Sequence, residues 1–412
     1  MKFTLIAVSL VFQFGLSQER TCGTNLFVQQ MMKNPTAKQK YLDLQNRFEI
    51  ELAKLQNTQS KSAENTNATI VIPVAVHFPN VETNSTNKAC LRQLAQNQIN
   101  ILNADYNATN ADIALWTPAV SSLYPGTNIG VFNVQFVLAT QNHPPGSGIP
   151  AGQVAVTFGT NFLTNADSDS QWSHYINVVV RVAGALGYSP LGGTPNDGST
   201  VVINYDAFGS GTGCDGYTPN GDYNLGRTLS HEIGHFFNLD HTFGNSLCNA
   251  TNTDNVNDTP QCLASSGCPP NGSVLGCVVG QKSLTMSYMD YTDDACMYML
   301  TAGQVMRMRA YYNTISSQLA TNVLSDGEFE FTNFSLYPNP NNGSFTISFK
   351  TDTTDDIKIT INDVCGKDIY TKTFQNYRMF DQTLDLNTVR SGVYLATIQS
   401  GEKKIIKKII IK

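Results

Sequence analysis

The stretch LSHEIGHFFNLDH, residues 229–241, places three of the chain's six histidines around one glutamate. On a helix, His231 and His235 lie one turn apart on the same face. Both imidazoles can then reach one ion at about 2.0–2.1 Å, the usual zinc–imidazole distance. Glu232 stands beside them without having to bind metal. Zinc lowers the pKa of a coordinated water toward about 7, and Glu232 is placed to take its proton. His241 supplies a third ligand only if the helix stops and the chain turns back, because a continuous helix would carry it out of reach. Such a turn calls for positive φ just past the last helical residue. Glycine adopts it most easily and asparagine next. Asn238 is therefore a tolerable occupant, at a cost on the order of 1 kcal/mol.

These side chains need a scaffold. IVIPVAVHF (70–78), VFNVQFVLA (131–139), YINVVVRVA (175–183) and a run beginning at Val201 read as strands, the first continuously apolar. CLRQLAQNQINILNADY, from Cys90, reads as a helix with Leu91, Leu94, Ile99 and Leu102 facing inward. LGRTLSHEIGHFFNL is the next helix. Residues from His241 to about Met297 are rich in Gly, Asn, Cys and Pro and are expected to be irregular. A terminal helix starts after Thr301, with Gln304 completing a capping box. Strands mixed with helices make an α+β or α/β domain. Ahead of it, Leu44, Phe48, Leu52 and Leu55 mark an amphipathic helix, followed by the polar linker QNTQSKSAENTNAT. From Phe329 onward, short alternating strands with Asn-Gly and Ser-Gly turns indicate a small all-β domain.

The bulk numbers narrow the class. A chain of 412 residues has material for two to three domains. Its formal net charge of -6 argues against a general nucleic-acid binder. The N-terminal MKFTLIAVSLVFQFGLS has a lysine, a short apolar run and small residues before a cut after Ser17, the pattern of a secretory signal. That run is too short to span a bilayer, and no later segment has about 18 apolar residues in succession. Export implies an oxidising environment for the nine cysteines. Their odd number leaves at least one thiol unpaired or otherwise employed.

The stretch from His231 to His241 resembles the metzincin signature HExxHxxGxxH, with Asn238 as the departure. YINVVVRVAGALGYSPLGG, VVINYDAFGS, DNVNDTPQC and SYMDYTDDACMYMLTAGQVMRMRAYY extend the likeness to the pappalysin family, in its ulilysin-like or cytophagalysin branch. The resemblance spans roughly residues 70–319. It implies a twisted mixed sheet with helices above the cleft and an irregular lower subdomain. It implies a methionine turn at Met289 and a tyrosine, Tyr291, that supports the tetrahedral intermediate, a role suited to a phenol donor beside a developing oxyanion. It also implies disulfides Cys248–Cys277 and Cys268–Cys296, each worth about 3–4 kcal/mol in the chain-entropy picture. Cys90, Cys214 and Cys262 stay unassigned. By the same likeness, Cys22 in RTCGT is a zymogen switch that ligates zinc as thiolate and displaces the catalytic water. Asp254, Asp258 and Thr259 resemble a calcium site of hard oxygen ligands. Asp294 corresponds to the acid at the base of the pocket for the residue after the scissile bond, although Asp293 is an equally simple candidate. The C-terminal SLYPNPNNGSF, SGVYLATI and KKIIKKIIIK resemble the sorting domain of the type IX secretion system of Bacteroidetes.

The expected organisation is a signal peptide at 1–17, a propeptide at 18–62, a zinc metalloprotease catalytic domain at 63–320 and a sandwich-like sorting domain at 328–412. The expected activity is secreted endopeptidase, with zinc and structural calcium as cofactors. Protein substrates and the type IX machinery are the expected partners. An arginine or lysine after the cut bond is the expected preference, and self-cleavage before Lys61 the expected activation. The rivals are an inactive zinc-bearing surface protein of adhesin type and a metal-stabilised hydrolase of some other substrate. Glu232 speaks against the first, because a purely structural zinc site has no use for it.

Overall fold

The computed structural model describes residues 20–59, 69–82, 84–159, 169–249, 253–324, 332–350, 355–363, 366–386, 389–400 and 403–412. The expected signal peptide, the Ser60–Lys61 bond and Cys365 lie outside them. The chain divides into two compact units, residues 1–323 and 324–412.

The first unit begins with two helices, α1 (Thr24–Met31) and α2 (Pro35–Gln59), both in the leader, the segment expected to be a propeptide. The sequence pattern announced only the second, through its leucine and phenylalanine stripe. Next come β1 (Ile70–Phe78), α3 (Lys88–Tyr106), a single-turn α4 (Pro118–Ser121), β2 (Val134–Leu138) and β3 (Val156–Phe158). After these follow β4 (Ile176–Arg181), β5 (Gly187–Tyr188), β6 (Thr200–Asn204), α5 (Arg227–Phe236) and α6 (Ala302–Ile315).

The sheet runs β2-β1-β4-β6-β5, with β3 also paired to β1. All its pairings are parallel except β5 with β6. Both faces of β1 are covered, which explains its unbroken apolar run. Ile72, Val74 and Val76 pack with Leu91, Leu94, Ile99 and Leu102 of α3. Ala75 faces the other way, into a cluster with Trp172, Val179 and Val202. Two-residue β5 is the antiparallel edge, so its outer backbone groups can accept another strand.

From His241 to Met297 the described backbone forms no helix or strand of the sheet, only turns, isolated bridges and one short 3-10 turn. Cys248–Cys277 and Cys268–Cys296 crosslink this region, the pairs the family resemblance implies. Cys90 bonds to Cys214, an assignment the sequence left open, and ties α3 to the chain after β6. Cys262 is buried as a free thiol. Thr301 and Gln304 form the expected reciprocal capping box at the start of α6.

The second unit is all β. Strands β7 (Thr332–Tyr337), β8 (Ser344–Lys350) and β11 (Met379–Asp385) form one sheet. Strands β9 (Ile357–Asp363), β10 (Asp368–Phe374), β12 (Gly392–Ser400) and β13 (Lys403–Ile411) form the other, in the order β10-β9-β12-β13. Phe345, Ile347, Phe349, Ile357, Ile359, Ile361 and Ile398 fill a common core, drawn from alternate positions along each strand. The Lys/Ile tail is a strand and not an amphipathic helix. Ile405, Ile409 and Ile411 are buried while Ile406 is exposed, and the strand pairs antiparallel with β12.

Candidate metal centre and its cleft

Helix α5 is entirely buried and is held by ions as well as by packing. Arg227 at its start pairs with Asp105 of α3 and with Asp112. The Ser230 hydroxyl donates to Asp105 at 2.5 Å, and the Tyr106 hydroxyl donates to the Ser230 carbonyl at 2.9 Å. Removing one partner of such a buried set would strand a charge.

The helix ends as the His241 spacing requires. Asn238 has φ 65. Its N–H donates to the His235 carbonyl at 2.8 Å, and the Leu239 N–H donates to the Gly234 carbonyl at 3.0 Å. These two bonds with a left-handed residue between them make a Schellman ending. The reversal brings His241 back beside the helix. The Nε2 atoms of His231, His235 and His241 lie 3.0, 3.1 and 3.2 Å apart.

The 3.1 Å between His231 and His235 is not a hydrogen bond. The Nδ1 of His231 lies 2.6 Å from the Tyr288 carbonyl, and that of His235 lies 2.7 Å from the Leu239 carbonyl. A carbonyl only accepts, so each Nδ1 must carry the proton and each Nε2 must present a lone pair. Lone pairs facing each other at this distance repel unless a cation lies between them. A tetrahedral zinc with arms of about 2.0–2.1 Å would separate its nitrogens by about 3.3 Å. The three imidazoles fit that ion in donor type and in spacing. Burial holds all three below their ordinary pKa, His235 at about 4, so they stand neutral and ready to ligate.

A fourth donor joins them from the leader. The sulfur of Cys22 and the three imidazole nitrogens lie within 4.8 Å of one another. Cys22 also donates to Glu232 Oε2 at 3.6 Å, and the Thr24 hydroxyl approaches the same oxygen at 3.3 Å. Burial pushes the Glu232 carboxyl up to about 8, with Cys22 and Arg20 opposing the rise. Among the described residues its other oxygen, Oε1, is buried without a hydrogen-bond partner.

The leader lies along the free edge of β5. The Leu186 N–H donates to the Thr21 carbonyl and the Gly23 N–H donates to the Gly187 carbonyl, each at 3.0 Å, in the parallel sense. This carries Arg20 into a pocket that the sequence reading did not foresee as occupied. Its Nη2 lies 2.5 Å from Asp294 Oδ1, its Nε donates to the Thr292 carbonyl at 3.1 Å, and its guanidinium lies 4.8 Å from the Tyr223 ring centre. The other Asp294 oxygen accepts from the Leu225 and Arg227 N–H groups. Asp293, the rival acid, is part exposed. The one available clue was the arginine two residues before the cysteine in RTCGT.

Met289 and Tyr291 both lie beside the histidines. Met289 is buried under α5, and its sulfur would stand 2.3 Å from a Cβ added at Gly234, so a larger residue there would have to displace the methionine side chain. The Tyr291 ring lies 4.8 Å from that of His241. Burial raises its hydroxyl well above the ordinary value, and a backbone hydrogen bond with Cys22 opposes the rise. The three oxygen residues of the expected calcium site are differently engaged. The Thr259 hydroxyl lies 2.8 Å from both Asp254 oxygens. Asp258 instead accepts from Thr301 and from the Gly303 N–H at the start of α6.

The chain is similar to known proteins. Residues 166–313 match the peptidase family described as pregnancy-associated plasma protein-A, and residues 335–412 match the secretion system C-terminal sorting domain. An extracellular metalloprotease of Verticillium alfalfae is 31% identical over 255 residues, which is 59% of this chain and 78% of that one. One from Podospora anserina is 37% identical over 141 residues, 32% of this chain and 45% of that one. Among solved structures, a promirolysin mutant from Tannerella forsythia is 29% identical with a TM-score of 0.52, covering 72% of this chain and 94% of that one.

Proposed function

Because this chain belongs to the pappalysin-type family of extracellular metalloproteases and ends in a type IX sorting domain, we propose that it is a secreted zinc endopeptidase made as a latent proenzyme. The observation that carries the latency is the leader's Arg20–Thr21–Cys22 threaded along Gly187, with its sulfur among three imidazoles and its guanidinium on Asp294.

His231, His235 and His241 would hold the zinc, whose Lewis acidity activates water and polarises the peptide carbonyl. Glu232 accepts the proton of the attacking water and returns it to the leaving amine nitrogen. A carboxyl raised by burial is the stronger base once ionised. Tyr291 gives its hydroxyl hydrogen to the oxygen that gains charge. Met289 and the Gly234 gap fix the height of α5 beneath the ligands.

Asp294 supports a preference for arginine or lysine beside the cut bond. A buried carboxylate is costly unless a cation pairs with it, and Arg20 is the cation the leader supplies. The leader runs parallel to β5, so a substrate paired antiparallel to that edge would put the residue following the scissile bond into this pocket. Activation then requires removal of the leader, by a cut before Lys61. A calcium ion is proposed at Asp254 and Thr259, with Asp258, because these are hard oxygen donors and Asp254 is buried against the Thr259 hydroxyl. Engagement of the type IX machinery by residues 335–412 belongs to the same reading. Among the described residues no helix is long and apolar enough to cross a membrane.

The test is casein hydrolysis by the purified protein after leader removal, with and without a zinc chelator. Chelator-sensitive cleavage is expected. A protein that holds zinc and cleaves nothing would favour the adhesin-type reading.

A further inference from the structure

The leader touches the catalytic unit at a second place, behind the metal centre. Helix α2 packs on α6 with Leu44, Phe48 and Leu52 on one buried face, at four-residue spacing. Phe48 is fully buried, its ring centre 5.9 Å from that of Tyr311 and 5.0 Å from the Arg307 guanidinium. Beside it, Gln45 and Asn238 join their amides head to head. Gln45 Nε2 donates to Asn238 Oδ1 at 3.0 Å, and Asn238 Nδ2 donates back to Gln45 Oε1 at 2.9 Å. A glycine at 238 would satisfy the turn more easily but could not make this pair. The asparagine therefore does something beyond tolerating positive φ: its side chain reads the leader.

We propose that the surface formed by Asn238, Arg307 and Tyr311 is a docking groove for the leader helix Pro35–Gln59, and that this contact holds the leader independently of Cys22. The proposal rests on the reading above in taking residues 20–59 as a removable leader. Cutting the chain after α2 then does not by itself release Cys22 from the cleft. The severed leader stays seated through α2, and full activation needs a second event, dissociation or digestion of the helix. The partner of this groove is thus an amphipathic helix with a glutamine three residues ahead of a phenylalanine. Its amide meets Asn238, and its ring lies between a guanidinium and a phenol.

Two experiments test this without relying on peptidase activity, so an inactive protein would leave them readable. First, the full-length chain is nicked in residues 60–68 with an added lysine-specific protease and passed over a sizing column. The leader should co-elute in the wild type and in Cys22→Ser, and should separate in Gln45→Ala/Phe48→Ala. Second, a labelled synthetic peptide of residues 35–59, which lacks Arg20 and Cys22, is titrated into leader-free protein. Saturable binding is expected. Phe48→Ala in the peptide should weaken it about a hundredfold, and Gln45→Ala about tenfold. Alanine favours helix, so neither loss can come from weakened helicity. Because these substitutions sit in the peptide, the folding of the protein is untouched. Loss of the leader from nicked Cys22→Ser, or equal binding by a peptide carrying both alanines, would overturn the proposal.

Discussion

Arg20 of the leader and Asp294 of the cleft form a fully buried ion pair, with Nη2 2.5 Å from Oδ1. Arg20 stands two residues from Cys22, whose sulfur lies among the three imidazoles. On the proposed reading, a basic residue at this place marks what the pocket prefers.

The first prediction follows from that pair. In leader-free protein, Asp294→Asn should lower kcat/KM for substrates with arginine or lysine after the cut by roughly ten- to hundredfold, or about 1.5–3 kcal/mol. Substrates with leucine there should change little. Asparagine keeps an acceptor for the Leu225 and Arg227 N–H groups, so the pocket should keep its shape. Equal losses on both substrates would remove Asp294 from specificity.

Maturation should show the same preference. Protein left to mature alone is expected to begin at Lys61, more slowly in Asp294→Asn and not at all in Glu232→Ala. N-terminal sequencing over time reads this directly. A start far from Lys61, or normal maturation of the Glu232 variant without added protease, would assign activation to another enzyme.

The turn at Asn238 gives a third outcome. Zinc affinity of leader-free Asn238→Gly should match that of the parent, and Asn238→Val should bind more weakly, because a β-branched residue resists positive φ. Competition with a chromophoric chelator measures all three. Tight binding by the valine variant would mean that the turn does not set the position of His241.

The metal centre was legible in the sequence because it is local. His231, His235 and His241 fall within eleven residues, and helix period plus one forced reversal fix their geometry. The strands of the sheet were legible for a similar reason, since burial on both faces leaves unbroken apolar runs. Two-residue β5 left no such run, yet it forms the edge along which the leader lies. Arg20–Asp294 joins residues 274 positions apart, and Gln45–Asn238 joins residues 193 apart. No periodicity links such pairs, so only the fold reveals them. The Cys90–Cys214 bond escaped for the same reason: nothing in spacing chooses among three unassigned cysteines.

A pH effect should arise far from the cleft. His77 lies buried between the Thr157 hydroxyl and the Asn177 amide oxygen, and burial lowers its pKa to about 3. Unfolded, it takes a proton near pH 6.5; folded, it stays neutral down to about 3. The unfolded chain thus binds more protons in this window, and stability falls as pH falls through it, by about 1.4 kcal/mol per pH unit from this group. Denaturant unfolding of His77→Gln at pH 6.5 and 5.0 should show a correspondingly smaller loss than the parent. Identical losses would place the acid sensitivity elsewhere.

The most direct test of the account concerns Glu232, which neighbours the metal ligands without being one. The measurement is zinc content and kcat/KM of Glu232→Ala, after removing its leader with an added protease. The account predicts one zinc per chain, an unchanged fold, and activity reduced about a hundred- to ten-thousandfold. Near-parental turnover at full zinc occupancy would contradict it.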